Sequence, residues 1–167
     1  MSGWPVVDSI QFARTSGELS WSAQVSDFER LAQIALDDEA DFQLRLEGFQ
    51  DGDEKPCLRL QVKGAIRLSC QRCLEPLSLE VASEREFVLV EREHDMMDLA
   101  EEDEAIESLV AEAQLDVLAL AEDEILLQMP IAPMHDPGIC NPPDWTGRGR
   151  NDSSAFSVLG TLTDTKD

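Results

Sequence analysis

The sequence has few basic residues, with 13 Lys and Arg against 35 Asp and Glu in 167 residues, so its formal net charge is −22. A polyanion is repelled by phosphate unless positive charge is concentrated locally. The composition therefore excludes a nonspecific nucleic-acid coat and a binder of anionic membranes. Apolar runs are also short, because none approaches the roughly 18 residues that a membrane-spanning helix needs. The N-terminus has no pattern of a signal peptide, and we expect a cytoplasmic protein without a membrane partner.

Enzyme motifs are scarce as well. The sequence contains no P-loop, no G-x-G-x-x-G, no nucleophile elbow and no H-E-x-x-H. Three successive acidic residues, Glu122, Asp123 and Glu124, lie on a predicted helix, where we expect them to face solvent. We therefore predict that the protein is not an enzyme. Its length and its 43% hydrophobic content nevertheless predict a domain with a real core.

The acidic residues are concentrated in one part of the chain. Residues 91–124 contain 14 acidic residues and one basic residue, while residues 1–90 contain 16 and nine. Such a run is typical of a solvated, mobile insertion, which we predict at residues 91–114. It is also a candidate surface for a cationic protein. The candidate protein-binding residues are Glu101, Glu102, Asp103 and Glu104.

The opposite charge is found at residues 55–74, which contain no acidic residue. Apolar residues occupy the even positions from 58 to 70, and this period of two predicts a strand with one buried face. Gly64 is predicted to be a bulge or bend in this strand. The basic residues form a row that is either an ordinary solvated sheet face or a phosphate-contacting face. The candidate RNA-binding residues are Arg59, Lys63, Arg67 and Arg72.

The remaining patterns predict an α+β fold, a mostly antiparallel curved sheet of about five strands with two or three packed helices. Alternation predicts strands at 19–25, 42–46 and 77–81, with hairpins that join the last two to the basic strand. A capping box of Ser26 and Glu29 predicts a helix to about Leu36, and Asp116 is the predicted cap of a helix over 116–129. We expect one domain over residues 1–140. The tail at 141–167 is predicted to be loose, with a short docking helix at 156–162.

Cys70 and Cys73 form a C-x-x-C pair at the predicted tip of the second hairpin. This spacing is half of a structural zinc site, and the partners available for the other half are His135 and Cys140. In a cytoplasmic protein, inert thiols and a redox dithiol are the alternatives to a metal site. The candidate metal ligands are therefore Cys70, Cys73, His135 and Cys140, and the candidate cofactor is Zn²⁺.

Three segments together resemble the YceD family, the large ribosomal RNA subunit accumulation proteins of bacteria and plastids. They are LSCQRCLEP at 68–76, DVLALAEDEILLQMPIAPMHD at 116–136 with Cys140, and FSVLGTL at 156–162. The resemblance implies a role in the synthesis, processing or stability of large-subunit ribosomal RNA. It also implies that Cys70, Cys73 and Cys140 are family positions. Many relatives have a further cysteine-rich group near the C-terminus, whereas here His135 would complete the set.

Two binding functions remain open at this point. In the first, the protein is a ribosome biogenesis factor whose basic row contacts precursor large-subunit ribosomal RNA. In the second, it is a chaperone-like binder of a basic ribosomal protein, which the acidic segment would attract. A zinc or thiol enzyme that acts on RNA is a third hypothesis, but no general base is evident near the cysteines.

Overall fold

The computed structural model describes residues 4–38, 40–95 and 107–140. In chain order the elements are β1 (Val6–Val7), α1 (Ser9–Arg14), β2 (Glu18–Gln24), a 3₁₀ turn (Val25–Asp27), α2 (Leu31–Ile34), β3 (Asp41–Gln50), β4 (Pro56–Ser69), β5 (Pro76–Val90), β6 (Glu107–Val110), β7 (Leu115–Asp116) and α3 (Val117–Gln128). The described part contains no helix that is long and apolar enough to cross a membrane.

The main sheet has the strand order β2-β3-β4-β5-β6. All neighbouring strands in it are antiparallel except β5 and β6, and β1 pairs with β7 in a separate two-stranded ladder. The α+β fold with a mostly antiparallel five-stranded sheet is therefore confirmed. Strand β6 was not expected, because its four residues lie inside the acidic segment predicted as an insertion. Leu109 and Val110 pair there with Leu89 and Val90 at the buried end of β5.

Strand β4 has the predicted alternation, and Leu58, Leu60 and Val62 are fully buried. Of the two alternatives predicted for Gly64, the bulge is wrong, because the β4–β5 ladder runs without interruption from Cys57 to Ser69, while the bend stays a prediction. Gly64 instead permits a close approach. A Cβ atom there would lie 2.5 Å from the Phe42 ring and 2.7 Å from the Asp41 carbonyl oxygen.

The helix predicted from Ser26 to about Leu36 is also wrong in its extent. The chain makes a 3₁₀ turn, passes through an extended Phe28 and then forms the four-residue helix α2. The backbone N–H of Gln24 donates to Asp27, so the predicted pair Ser26 and Glu29 does not cap this segment. The helix begins later because a carboxylate distant in sequence binds its first N–H groups.

That carboxylate belongs to Glu122 on α3. Helix α3 begins as predicted, with Asp116 Oδ1 accepting from the N–H groups of Leu118 and Ala119 at 3.0 Å each. The prediction that Glu122 and Glu124 face solvent is wrong, since their residues are only 5% and 2% exposed. Glu122 accepts from the N–H groups of Arg30 and Leu31, and Glu124 contacts Ser83 and Arg85 on β5. Sequence patterning missed them because each buried carboxylate has partners on another element.

Candidate metal centre

The turn between β4 and β5 positions the first two candidate ligands. Cys70 accepts from Leu74 N–H at 2.8 Å through its carbonyl and donates to the Glu75 carbonyl at 2.9 Å. Leu74 has a positive φ of 65°, which reverses the chain within this short turn. Both thiols are consequently buried at the hairpin tip, with Cys70 0% and Cys73 9% exposed.

The other two candidate ligands lie on the segment that follows α3. The backbone N–H of Gln71 donates to the Pro133 carbonyl at 2.8 Å, which holds this segment against the turn. The Nε2 atom of His135 lies 3.1 Å from the Pro76 carbonyl. This contact orients the ring and leaves Nδ1 facing the cysteines. Metal-binding histidines commonly contact a carbonyl or carboxylate in this way through the ring nitrogen that does not bind the metal.

The four candidate ligands form one cluster. One donor atom from each of Cys70, Cys73, His135 and Cys140 lies within 4.8 Å of the others. The sulfurs of Cys70 and Cys140 are 3.9 Å apart, and Cys73 Sγ is 3.4 Å from His135 Nδ1. A tetrahedral zinc ion with bonds of about 2.3 Å to sulfur would separate two sulfurs by about 3.8 Å and a sulfur and a nitrogen by about 3.6 Å. The donor types and these two distances therefore fit such an ion.

The surroundings of the thiols favour ionisation of two of them. Burial opposes ionisation of Cys70, but hydrogen bonds from the backbone of Cys73, His135 and Arg72 lower its pKa to about 5. Burial also opposes ionisation of Cys140, whose pKa is nevertheless lowered, chiefly by the Arg72 guanidinium. Burial raises the pKa of Cys73, and hydrogen bonds with Cys140 and Cys70 raise the pKa of His135. Metal binding would thus displace protons, and its affinity should rise with pH.

Arg72 lies at this cluster and apart from the other members of the predicted basic row. Its Nε and Nη2 atoms donate to Cys140 Sγ at 3.2 and 3.0 Å. Nη2 also donates to the carbonyls of His135 and Asp136 at 3.1 and 3.2 Å. Arg72 thus joins the hairpin tip to the second pair of candidate ligands. Its position between Cys70 and Cys73 was the sequence signal that it belongs with the cysteines.

The rest of the basic row does face outward on β4, but carboxylates from neighbouring elements surround it. Arg59 lies 2.6 Å from Glu86, 3.5 Å from Glu47 and 3.8 Å from Glu84. Arg67 pairs with Asp37 at 2.5 Å. Lys63 is exposed, and none of the ion pairs found among the described residues involves it. Residues 55–74 contain no acidic residue, but the surface on which their basic side chains lie also carries carboxylates from other elements.

The candidate protein-binding residues lie outside the described part of the chain. This applies to Glu101, Glu102, Asp103 and Glu104, and to the docking helix predicted at 156–162. Both stay predictions.

The fold and the cluster together define a class, a small α+β protein with a mostly antiparallel sheet whose β4–β5 hairpin tip carries a candidate Cys₃His metal site. Within that class the chain belongs to the YceD family. The family model described as "Large ribosomal RNA subunit accumulation protein YceD" matches residues 58–162, which include all four candidate ligands. The resemblance found in the sequence is thereby confirmed.

A relative from Haemophilus influenzae has the name large ribosomal RNA subunit accumulation protein YceD. It is 28% identical to this chain over 134 residues, which cover 80% of this chain and 76% of the relative. No solved structure matches the chain.

Proposed function

We propose that the protein supports the accumulation of large-subunit ribosomal RNA in the cytoplasm by binding rather than by catalysis, and that its direct partner is a basic ribosomal protein. The link to ribosomal RNA rests on the description of the family and on the name of the relative. The choice of a protein partner rests on one observation. The arginines of the predicted RNA-binding row are already engaged, Arg59 and Arg67 with carboxylates and Arg72 with Cys140.

The charge of the described residues supports this choice. They contain 25 acidic and ten basic residues, a difference of −15, and five of the arginines lie within 4 Å of a carboxylate. Ion-paired arginines have lost much of their attraction for phosphate, whereas the excess carboxylates attract a cationic protein over a Debye length of about 8 Å. A ribosomal protein bound in this way would be delivered by the chain to precursor ribosomal RNA. The RNA would then accumulate in complex with that ribosomal protein.

Binding measurements test the proposal. The chain should bind a basic large-subunit ribosomal protein, with an affinity that falls as salt rises, and should bind a precursor ribosomal RNA fragment only weakly in the same buffer. Neutralising the candidate acidic residues should weaken protein binding strongly. The variant is Glu101→Gln, Glu102→Gln, Asp103→Asn and Glu104→Gln.

A matched control removes the same number of charges from exposed positions elsewhere. It should retain most of the binding, because the acidic residues that it changes are divided between two separate places and do not form one dense run. The control is Asp53→Asn, Glu54→Gln, Glu75→Gln and Glu80→Gln.

Direct contact with precursor ribosomal RNA is the competing outcome. It would be established if the chain bound the RNA fragment tightly and if Arg59→Ala, Lys63→Ala and Arg67→Ala together weakened that binding and flattened its salt dependence. That result, with no binding of any large-subunit ribosomal protein, would overturn the proposal.

We also propose that the cluster binds Zn²⁺ in a structural role. Three cysteines and one histidine make a complete tetrahedral set, which is typical of structural zinc sites, whereas catalytic sites keep a position for water or substrate. The ion would hold the segment after α3 against the hairpin tip. Metal analysis of protein purified without chelator should find about one Zn²⁺ per chain.

A further inference from the structure

An apolar groove lies beside the metal centre, between α2, the end of β4 and the segment that follows α3. Its volume is about 450 Å³. Ile34 on one side is 48% exposed, and Ile131 on the other is fully exposed. Grooves of this size and character usually bind an apolar group. The lining residues are Ile34, Leu68, Ser69, Gln71, Leu126, Met129, Pro130, Ile131 and Pro133.

We propose that this groove binds the chain's own segment at 156–162. Phe156, Leu159 and Leu162 are spaced three positions apart, so they would share one side of a helix. Residues 153–163 contain no charged side chain, in a protein in which 29% of all residues are charged. The lining of the groove contains no charged residue either. The two surfaces therefore match in polarity.

Cys140, the last described residue, lies at the hairpin tip that forms part of the groove wall. Cys140 Sγ is 3.9 Å from Cys70 Sγ, and Pro133 is hydrogen-bonded to Gln71, a residue of the groove wall. The described chain therefore ends at the hairpin tip, where Ser69 and Gln71, the two neighbours of Cys70, line the groove. Fifteen residues, 141–155, separate Cys140 from Phe156. A chain of this length can reach up to about 50 Å, and the covalent tether raises the local concentration of the segment at the groove above that of a free segment. Even weak intrinsic affinity would then fill the groove.

The uncharged lining also distinguishes this occupant from other candidates. A basic ribosomal protein is attracted by carboxylates, and this groove offers none among its lining residues. A second copy of the chain has the same apolar segment but lacks the advantage of the tether. Binding within one chain is therefore the arrangement that the observations favour.

Photocrosslinking tests the arrangement. A photoreactive residue at position 159 of the full chain should crosslink to the peptides that contain Ile34 and Ile131. In a mixture of isotopically light and heavy protein, the crosslinked pairs should be light with light or heavy with heavy. Mixed pairs would show that a second copy fills the groove, and crosslinks confined to other surfaces would show that the groove is not the site. Either result would overturn the proposal.

Two substitutions of exposed residues form a matched pair for the same assay. Ile131→Glu places a charge on the groove wall and should reduce the crosslink several-fold, while Leu127→Glu changes an exposed leucine that is not part of the lining and should leave it intact. Both side chains are exposed, so both variants should fold. Equal crosslinking in the two variants would contradict the proposed site.

Hydrogen exchange of the full chain gives an independent measurement. Replacing Phe156, Leu159 and Leu162 together by Ser should increase the exchange of backbone amides at residues 31–36 and 126–133 several-fold. Trp145→Ser, which removes an apolar side chain from the linker, is the control and should leave that exchange unchanged. Unchanged exchange in the triple variant would mean that the segment does not cover the groove. These readouts do not depend on the ribosomal partner, so they can fail without affecting the proposed function.

Discussion

Arg59 and Arg72 lie at opposite ends of the β4–β5 hairpin, and their surroundings differ. Arg59 is on the outward face of the sheet, where its guanidinium faces the carboxylates of Glu47, Glu84 and Glu86 and stacks 5.0 Å from the Phe49 ring. Arg72 lies beyond the end of β4 and donates to a sulfur and to two backbone carbonyls. Arg59 balances charge on an exposed sheet face, and Arg72 connects the two halves of a candidate metal site.

This difference shows that a local excess of positive charge in the sequence is not necessarily a basic surface. Exposed ion pairs contribute little stability, typically 0–1 kcal/mol, because water and salt screen them. Contacts at a cluster of metal ligands have more effect, since they orient the ligands themselves. The following predictions test the contrast, in order from the largest expected effect to the smallest.

Removing two of the candidate ligands should have the largest effect. Cys70→Ser together with Cys73→Ser should abolish stoichiometric metal binding and free the segment after α3 from the hairpin tip. Metal content measures the first effect and hydrogen exchange at residues 130–140 the second. The main core should survive, because the residues of its buried cluster do not include these cysteines.

Cys57→Ser is the matched control, since Cys57 is also buried but lies outside the candidate metal cluster. It should leave metal content unchanged. A double variant that still holds one metal ion per chain would show that the cluster is not the metal site.

The contact between Arg30 and Glu122 differs from the ion pairs of Arg59, because the carboxylate of Glu122 is buried. Glu122 accepts from the Arg30 side chain at 2.9 Å and from two backbone N–H groups. Losing a buried carboxylate that satisfies such donors typically costs about 3 kcal/mol. We expect Glu122→Ala to lower the free energy of unfolding by about that amount, as measured by denaturant titration.

Glu122 should also make stability depend on pH. Burial opposes its ionisation, but the Leu31 and Arg30 hydrogen bonds prevail, so its pKa is lowered from 4.5. A lowered pKa in the folded state stabilises the protein above the unfolded value and loses that effect as pH falls through the folded value. The stability difference between the natural chain and Glu122→Gln should therefore be constant near neutral pH and shrink below 4.5. A difference that stays constant in acid would assign the effect to packing.

Arg72→Ala should weaken metal binding by about 10–100-fold, the usual effect of a residue that orients metal ligands. Competition with a chromophoric chelator measures the affinity. Arg72→Lys should rescue it only in part, because an ammonium cannot make the two-nitrogen contact with Cys140 Sγ. Equal metal affinity in the natural chain, Arg72→Ala and Arg72→Lys would show that Arg72 does not orient the candidate ligands. Arg72 would then have no more effect on the site than Arg59.

Arg59→Ala should have the smallest effect, a loss of less than about 1 kcal/mol in the free energy of unfolding and none in metal affinity. Its pairs are exposed, and three carboxylates share one guanidinium. Thermal unfolding at low and high salt measures this, and the effect should shrink at high salt. A large loss that salt does not change would show that Arg59 acts through packing on Phe49.

Much of the fold was predictable because its signals are local. The alternation in β4, the turns on both sides of it and the Asp116 cap each depend on residues close together in the chain. The errors arose where an element depends on distant residues. Helix α2 begins at Leu31 because Glu122, 91 positions away in the sequence, accepts its first N–H groups.

The candidate site was likewise predictable where its signals are local and not where it depends on distant residues. The C-x-x-C spacing indicated Cys70 and Cys73 as a pair, because two thiols three positions apart in a tight turn face the same point. The close spacing of His135 and Cys140 after the predicted helix offered them as the second half, and the family resemblance implied that Cys140 is a family position. Spacing alone could not show that the two pairs meet, since that depends on the β4–β5 turn and on the course of the chain after α3.

The sequence by itself determined strands β2 to β5, the start of α3, the family and the four candidate ligands, because these depend on the order of residue types along the chain. Only the tertiary structure decided the partners of the charged side chains. Arg59, Arg67 and Arg72 look alike in the sequence, but the sheet register and the hairpin tip give them carboxylates in two cases and a sulfur in the third. Electrostatic interactions act through space, so net charge in a segment does not define the surface that the fold creates.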